Sequence, residues 1–145
     1  MGNDFIIRDY KPDDFTDVNN IWEITGMGGK ARGDDAEIIN RTLENGAKLI
    51  ILEDVKSQRP IGTSWLTHDF RRIYLHHFGI LPEYQGKGLS KLLLKESLAY
   101  AKEEGMQIKL EVHKDNEIAL NIYKKAGFKF LGDYNVYIIR DLSII

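Results

Sequence analysis

The segment 73–113 constrains the fold of this chain more than any other. It reads as an apolar strand over Ile73–Leu81, a turn with two glycines, a leucine-rich helix over Leu89–Glu104 and a second strand over Ile108–His113. Gly105 ends the helix, because glycine adopts the left-handed conformation of a helix C-terminus at little cost. A strand, a helix and a strand in this order predict a right-handed crossover between two parallel strands.

The rest of the chain supplies further elements for the same sheet. Strands are predicted over Phe5–Tyr10, Lys48–Val55, Ile61–Thr67 and, as a closing antiparallel pair, Phe128–Leu131 and Tyr134–Ile139; helices are predicted from Pro12 to Thr25, over Asp35–Glu44 and over Asn116–Ala126. With 145 residues, no linker and no repeat, the chain fits one domain spanning residues 1–145. The predicted class is α/β (α+β), a mixed central β-sheet flanked by helices.

Composition argues against several classes of protein. A net charge of −2 disfavours a nucleic-acid binder that relies on phosphate neutralisation, and the absence of cysteine removes disulfides, thiolate zinc sites and a cysteine nucleophile. No stretch is apolar enough to span a bilayer, and the amino terminus lacks the pattern of a secretory signal. Met1 and Gly2 begin like a myristoylation signal, but Ile6 stands where Ser or Thr is required. We therefore expect a cytoplasmic protein, without nucleic-acid or membrane partners, that is a monomer or a homodimer.

Gly86 and Gly88 lie between the strand and the helix, and two interpretations of them stay open. The first N–H groups of a helix have no partner within the helix, so glycines there allow an anion such as phosphate to approach them. Lys87 would add positive charge. Alternatively, the turn needs glycine only for its backbone angles. The ATP-binding loop pattern is missing, and so is the dinucleotide pattern, because Lys91 stands at its last glycine.

Two motifs in this region resemble signatures of the GNAT superfamily of N-acetyltransferases. The first is the phosphate-loop pattern Gln/Arg-x-x-Gly-x-Gly/Ala, seen here as Gln85-Gly86-Lys87-Gly88-Leu89-Ser90, with Ser90 departing from the usual residue. The second is Asn-x-x-Ala-x-x-x-Tyr-x-x-x-Gly-Phe, matched by Asn116, Ala119, Tyr123, Gly127 and Phe128. Their order and spacing make the pair far more specific than either alone.

The resemblance implies the GNAT fold, acetyl-CoA as co-substrate and a set of residues that bind it. The pyrophosphate would lie on the turn and first helical turn, formed by Gln85, Gly86, Lys87, Gly88, Leu89, Ser90 and Lys91. The pantetheine arm would contact the backbone of Phe78, Gly79 and Ile80, and also Asn116 and Ala119. The resemblance implies no metal ion. A non-catalytic acyl-CoA sensor is the alternative to an enzyme.

Acetyl transfer to an amine needs a base for the ammonium proton and an acid for the leaving thiolate. The resemblance implies Tyr123 as the acid. Glu111 precedes Asn116 by five residues, as does the proposed base in the GNAT branch that acetylates protein amino termini, notably the ribosomal-protein alanine acetyltransferases. Glu111 is therefore predicted to act as base through a water. His76 and His77 are rivals, of which strand alternation lets at most one face the acceptor.

The acceptor is a protein or peptide amino terminus or a small-molecule amine. The loop Gly26–Asp34, with Trp22 and Met27, occupies the region where the family builds its acceptor pocket, and its glycines suggest a lid or a flexible connector. Tyr134 and Tyr137 would line the same groove or be ordinary sheet aromatics. The acidic residues Asp34, Asp35 and Glu37 are interpreted mainly as helix-start carboxylates. Without cysteine, an acetyl-cysteine route is excluded, which favours direct attack in a ternary complex.

Overall fold

The structure is a computed structural model that describes residues 4–145. The prediction about myristoylation concerns Met1 and Gly2, which lie outside the described residues. The contacts within the chain divide it into two compact parts, one ending at Glu111 and the other beginning at Val112. The prediction of one domain over residues 1–145 stays a prediction. In residues 4–145, no helix is long and apolar enough to cross a membrane.

The first part contains a five-stranded sheet with helices packed on it. The elements are β1 (Phe5–Asp9), α1 (Phe15–Thr25), α2 (Ala36–Glu44), β2 (Lys48–Asp54), β3 (Arg59–His68), β4 (Arg72–Ile80), α3 (Leu89–Glu104) and β5 (Gln107–Leu110). The strands lie in the order β1-β2-β3-β4-β5. The pairs β1–β2, β2–β3 and β3–β4 are antiparallel, and the pair β4–β5 is parallel. The predicted mixed sheet and the parallel pair are confirmed.

The side chains of β3 show which helix covers which face of the sheet. The Trp22 indole on α1 donates a hydrogen bond of 2.9 Å to the Thr63 hydroxyl, while the Ser64 and Ser97 hydroxyls hydrogen-bond at 2.7 Å beneath α3. From Gly62 to His68, odd-numbered residues of β3 therefore face α1, and even-numbered ones face α3. All four side chains are buried, and each polar atom in these pairs is hydrogen-bonded, as burial requires.

A buried ion pair joins β1 to the turn before α1. Arg8 donates to both carboxylate oxygens of Asp14, at 2.8 and 2.9 Å, and to Glu53 at 2.7 Å. The Lys11 backbone N–H donates to the same Asp14 carboxylate. Burial opposes ionisation of Asp14, but these donors outweigh it and lower its pKa. The pair fixes the angle at which the chain enters α1.

Replacing Asp14 by Asn is expected to destabilise the protein by about 2 kcal/mol, since Arg8 keeps Glu53 but loses its bidentate partner. The contribution of Asp14 is present above its unfolded pKa of about 3.9 and is lost as pH falls through the lower folded value. Urea unfolding at pH 7 and at pH 3 measures both effects. Asp13→Asn, an exposed neighbour, is the control; equal losses in both variants would contradict the assignment.

The second part, residues 112–145, contains α4 (Glu117–Ala126), which Asn116 caps and Gly127 ends. The closing antiparallel pair predicted over Phe128–Leu131 and Tyr134–Ile139 is wrong, because neither segment forms a strand. The Tyr134 N–H bonds to the Leu131 carbonyl at 3.4 Å, so the predicted turn forms without a ladder. β-Branched and aromatic residues favour a pleated surface, but a strand also needs a hydrogen-bonded partner.

Candidate active site

The glycine turn places two left-handed residues directly before α3. Gly86 and Gly88 have φ of 80° and 77°, which side-chain-bearing residues adopt only with strain. A Cβ at either position would meet no atom within 4 Å, and no side chain caps the α3 N-terminus. The backbone angles thus explain the glycines. The open space in front of uncapped N–H donors also suits an anion.

Neighbouring side chains hold this turn in place. The Gln85 amide donates to the Ile80 carbonyl at 2.8 Å, which ties the turn to the end of β4. The Tyr84 hydroxyl donates to Asp54 at 2.7 Å, and the Lys87 ammonium lies 5.6 Å from the Tyr84 ring centre. Leu89 is buried, so only its backbone faces the turn, whereas Ser90 is half-buried and Lys91 is exposed.

β4 and β5 part at the middle of β4. Their pairing covers Arg72 to Leu75, and β4 then continues beside β3 to Ile80. The predicted pantetheine contacts Phe78, Gly79 and Ile80 all lie in this continuation. Where two neighbouring strands part, an extended ligand can bind the strand edge through backbone hydrogen bonds. The splay and the glycine turn thus fit an acyl-CoA molecule.

A bulge in β4 brings both histidines to one face. Trp65 pairs with His76 and Thr63 pairs with Gly79, so β4 carries one more residue than β3 between these pairs. His77 has φ of 46° at this point. The two Nδ1 atoms of His76 and His77 lie 2.7 Å apart. The alternation argument that separated the two histidines is therefore wrong, because alternation fails at a bulge.

The loop after α1 packs directly on this bulge. His77 Nε2 lies 2.9 Å from the Asp34 carboxylate, which also accepts the Gly29 N–H at 3.0 Å. A Cβ on Gly28 would lie 2.2 Å from Asp34 and 2.7 Å from His77, so only glycine fits there. Likewise, a Cβ on Gly79 would lie 2.8 Å from the Met27 side chain, which covers this glycine. Asp35 caps α2 as predicted, but Asp34 is a partner of His77 rather than a helix-start carboxylate.

Aromatic rings surround the histidines. Trp22 and Trp65 stack with ring centres 5.2 Å apart, and His77 lies 4.5 Å from Trp22. Trp22 is fully buried, so it supports the histidines from the core and does not line an open acceptor pocket. Burial lowers the pKa of His76 to about 3, with a further contribution from His77 and opposition from Asp34.

Glu111 lies beyond the end of β5, which is shorter than predicted. Its carboxylate accepts the Tyr74 hydroxyl at 3.2 Å, and the Tyr74 ring stacks on His76 with centres 4.9 Å apart. Burial, and then Glu111, raise the pKa of Tyr74. A cavity of about 350 Å³ is lined by Thr67, Tyr74 and Glu111, by the cationic side chains of Arg71, Arg72 and Lys109, and by His68, Asp69 and Ile73.

In residues 112–145, α4 carries the second set of predicted residues on one helical face. The Asn116 side chain accepts the Ala119 N–H at 3.2 Å, so its carbonyl oxygen acts as the helix cap. The Tyr123 ring meets Phe128 edge-on with centres 5.7 Å apart, and burial raises the pKa of its hydroxyl. Tyr123 therefore keeps its proton at neutral pH, as a general acid must. Tyr134 and Tyr137 are exposed.

Comparison with known protein families decides the classification. The model of the acetyltransferase (GNAT) family matches residues 15–128, which include the glycine turn, the splayed strand and α4. The chain belongs to the GNAT family. The family predicted from the sequence is confirmed.

Individual GNAT relatives agree with this classification. The N-alpha-acetyltransferase RimI of Mycobacterium tuberculosis is 41% identical over 58 residues, a stretch that covers 40% of this chain and 35% of that relative. Crystal structures of an acetyltransferase from Streptococcus agalactiae and of a predicted acetyltransferase with acetyl-CoA from Clostridium acetobutylicum both superpose with TM-scores of 0.75. They are 21% and 19% identical, covering 96% and 92% of this chain and 93% and 96% of those chains. These two confirm the fold.

Proposed function

We propose that this GNAT protein transfers the acetyl group of acetyl-CoA to a primary amine by direct attack in a ternary complex. The observation that carries the proposal is the glycine turn at an uncapped helix N-terminus, placed at the end of a splayed strand. The absence of cysteine from the chain supports direct attack over an acetyl-cysteine route. We place the protein in the cytoplasm, as a monomer or a homodimer.

The residues at the turn and on β4 would hold acetyl-CoA, which supplies an activated acetyl thioester. Backbone N–H groups from Gly86 to Lys91 would bind the pyrophosphate, with Lys87 adding charge. The backbone of Phe78–Ile80 would bind the pantetheine arm, with Asn116 and Ala119 as further contacts. A backbone N–H near Ile80 would stabilise the oxyanion.

Proton transfer completes the reaction. Tyr123 would give its proton to the leaving thiolate. An acceptor amine of lysine type, with a pKa of about 10.4, is protonated at neutral pH, so a base must first remove a proton. Glu111, acting through a water, and the two histidines of β4 are the candidates for that base.

We further propose a protein amino terminus as the acceptor class. The relative named an N-alpha-acetyltransferase supports this class, and so does the five-residue offset between Glu111 and Asn116. A small-molecule amine, such as a polyamine or an amino acid, is the other candidate acceptor.

Thiol release from acetyl-CoA across an acceptor panel tests the proposal. The panel holds short peptides with free or blocked amino termini, each with and without lysine, beside polyamines, amino acids and aminoglycosides. We expect release with peptides whose amino terminus is free, whether or not lysine is present. Release with small amines alone would assign the other acceptor class. No release, with acetyl-CoA binding intact by calorimetry, would favour a non-catalytic acyl-CoA sensor.

A further inference from the structure

Four side chains form an unbroken hydrogen-bonded series across the site. The Thr67 hydroxyl lies 3.0 Å from Nε2 of His76, whose Nδ1 lies 2.7 Å from Nδ1 of His77. Nε2 of His77 lies 2.9 Å from the Asp34 carboxylate. The series thus joins β3, two consecutive residues of β4 at its bulge and the loop after α1.

The chemistry of the end group sets the direction of every hydrogen bond in the series. A carboxylate only accepts, so His77 carries its proton on Nε2, and in the neutral ring its Nδ1 accepts. His76 must then donate from Nδ1, and its Nε2 accepts the Thr67 hydroxyl. With both rings neutral, every nitrogen in the series has a partner of the correct type.

This arrangement can take up one proton at the Thr67 end and hold it at the Asp34 end. A proton that reaches Nε2 of His76 allows the Nδ1 proton of that ring to move to Nδ1 of His77. His76 remains neutral and changes tautomer, whereas His77 becomes an imidazolium beside Asp34. The low pKa of His76, caused by its burial, agrees with a ring that carries no net charge at neutral pH.

The Thr67 end of the series meets the cavity of about 350 Å³ that Tyr74 and Glu111 also line. We propose that Thr67, His76, His77 and Asp34 form a proton relay that deprotonates the ammonium group of an acceptor bound in this cavity. Asp34 is its positioning residue, because it fixes the tautomer of His77 and balances its charge. The proposal rests on the proposed acetyl transfer to an amine.

The proton balance of the relay is simple. The ammonium loses one proton to the relay and becomes the neutral amine that attacks the thioester. The relay releases that proton to water between turnovers, so one proton leaves per acetyl group transferred. After attack the nitrogen loses a second proton, which replaces the proton that the general acid gives to the leaving thiolate, and no oxidant or reductant takes part.

Charged groups lie at both ends of the series: Asp34 at one end, and Asp69, Arg71, Arg72, Lys109 and Glu111 around the cavity at the Thr67 end. The packed α1 and β3 residues Trp22 and Trp65 are uncharged. On β4, Tyr74 stacks on His76 and links it to Glu111, and the Lys109 ammonium lies 5.7 Å from the Tyr74 ring centre. Asp34 is the charged group in direct contact with the series. Glu111 acts on His76 only through Tyr74 and is exposed to water, which screens its charge.

Asp34→Asn and His77→Gln test the relay, with Asp35→Asn as the matched control. Asp35 carries the same charge one residue away and caps α2, a role that Asn fills equally well. The measurement is kcat for thiol release as a function of pH at a saturating concentration of the best acceptor. The acceptor is the same throughout, so differences between variants report ionisation in the enzyme.

We expect His77→Gln to lower the plateau of kcat roughly 100-fold, the lower range for general base catalysis. Asp34 places a negative charge 2.9 Å from Nε2 of His77, which stabilises the protonated ring of the relay. Asp34→Asn removes that charge and is therefore expected to lower the plateau about tenfold and to change the shape of the pH profile. Asp35→Asn is expected to leave both unchanged.

The outcomes separate the relay from the proposed function. Turnover by the wild-type protein, together with profiles of Asp34→Asn and His77→Gln that match it within about twofold, would overturn the relay alone. A large loss in Glu111→Gln would then assign the base to Glu111. A wild-type protein that acetylates no amine in the panel would overturn the proposed function, and the relay with it.

A spectroscopic measurement on the wild-type protein covers the case in which a variant does not fold. In ¹⁵N-histidine-labelled protein, we expect His76 to stay neutral between about pH 5 and 8, a range in which an ordinary imidazole titrates. We expect its Nδ1 to be the protonated nitrogen when His77 is neutral. Titration of His76 in that range, or a proton on its Nε2 at high pH, would overturn the relay.

Discussion

Gly88→Glu is expected to raise the dissociation constant of acetyl-CoA at least about 100-fold, or about 2.8 kcal/mol of binding free energy. The new carboxylate would lie at the uncapped N-terminus of α3, where its charge competes with an anionic ligand for the same N–H donors. It would also fill the space that is open in front of Gly88. Isothermal titration calorimetry with acetyl-CoA measures the effect.

Backbone strain must be separated from this loss, because Gly88 has φ of 77°. Gly105→Glu is the matched control: Gly105 has φ of 70°, also has no atom near its missing Cβ, and lies at the opposite end of the same helix. Both variants should lose about 1–2 kcal/mol of stability through the left-handed backbone. Only Gly88→Glu should lose acetyl-CoA. Equal affinities in the two variants would remove the phosphate-binding role of the turn.

Tyr123→Phe is expected to lower kcat by a factor of roughly 10² to 10⁴, the range for general acid catalysis. The substitution removes a hydroxyl whose pKa is raised by burial, and it keeps the ring that packs against Phe128. The affinity for acetyl-CoA should change little. Steady-state thiol release and calorimetry together give the two quantities.

Tyr100→Phe is the control for this variant. Tyr100 lies on α3, and its hydroxyl donates a hydrogen bond of 2.6 Å to the Gly46 carbonyl, so the variant also loses one bonded hydroxyl. It should lose some stability and keep its kcat. If Tyr123→Phe turns over at the wild-type rate, another group protonates the thiolate, and Tyr123 is a packing residue.

Local patterns were enough to predict most of the sheet and the glycine turn. The helix Leu89–Glu104 was predicted to the residue, because glycines flank it on both sides. The predicted strand pair after Gly127 does not form, since residue preference does not supply a strand partner. The sequence predicts least well the contacts between residues that are far apart along the chain.

The histidine series shows that limit most clearly. Asp34 and His77 are 43 residues apart, and nothing in the acidic segment distinguishes Asp34 from Asp35. Thr67 is one of three β-branched residues in β3, and its type alone does not distinguish it from the others. The bulge in β4 gave no composition signal, because its extra position is His77 rather than glycine. Only the pairing of two strands reveals an inserted residue.

The same bulge divides β4 into two segments in which opposite sets of residues, even-numbered and odd-numbered, face α1. Before it, the even-numbered Tyr74 and His76 lie on the α1 face, as their pairing with Thr67 and Trp65 requires. After it, the odd-numbered Gly79 lies on that face and contacts Met27. In a substitution scan along β4, the positions that tolerate polar residues would therefore switch from one parity to the other between positions 76 and 77. Deleting Phe78 would restore one alternation along β4 and a regular ladder, and it would place the two imidazoles on opposite faces of the sheet.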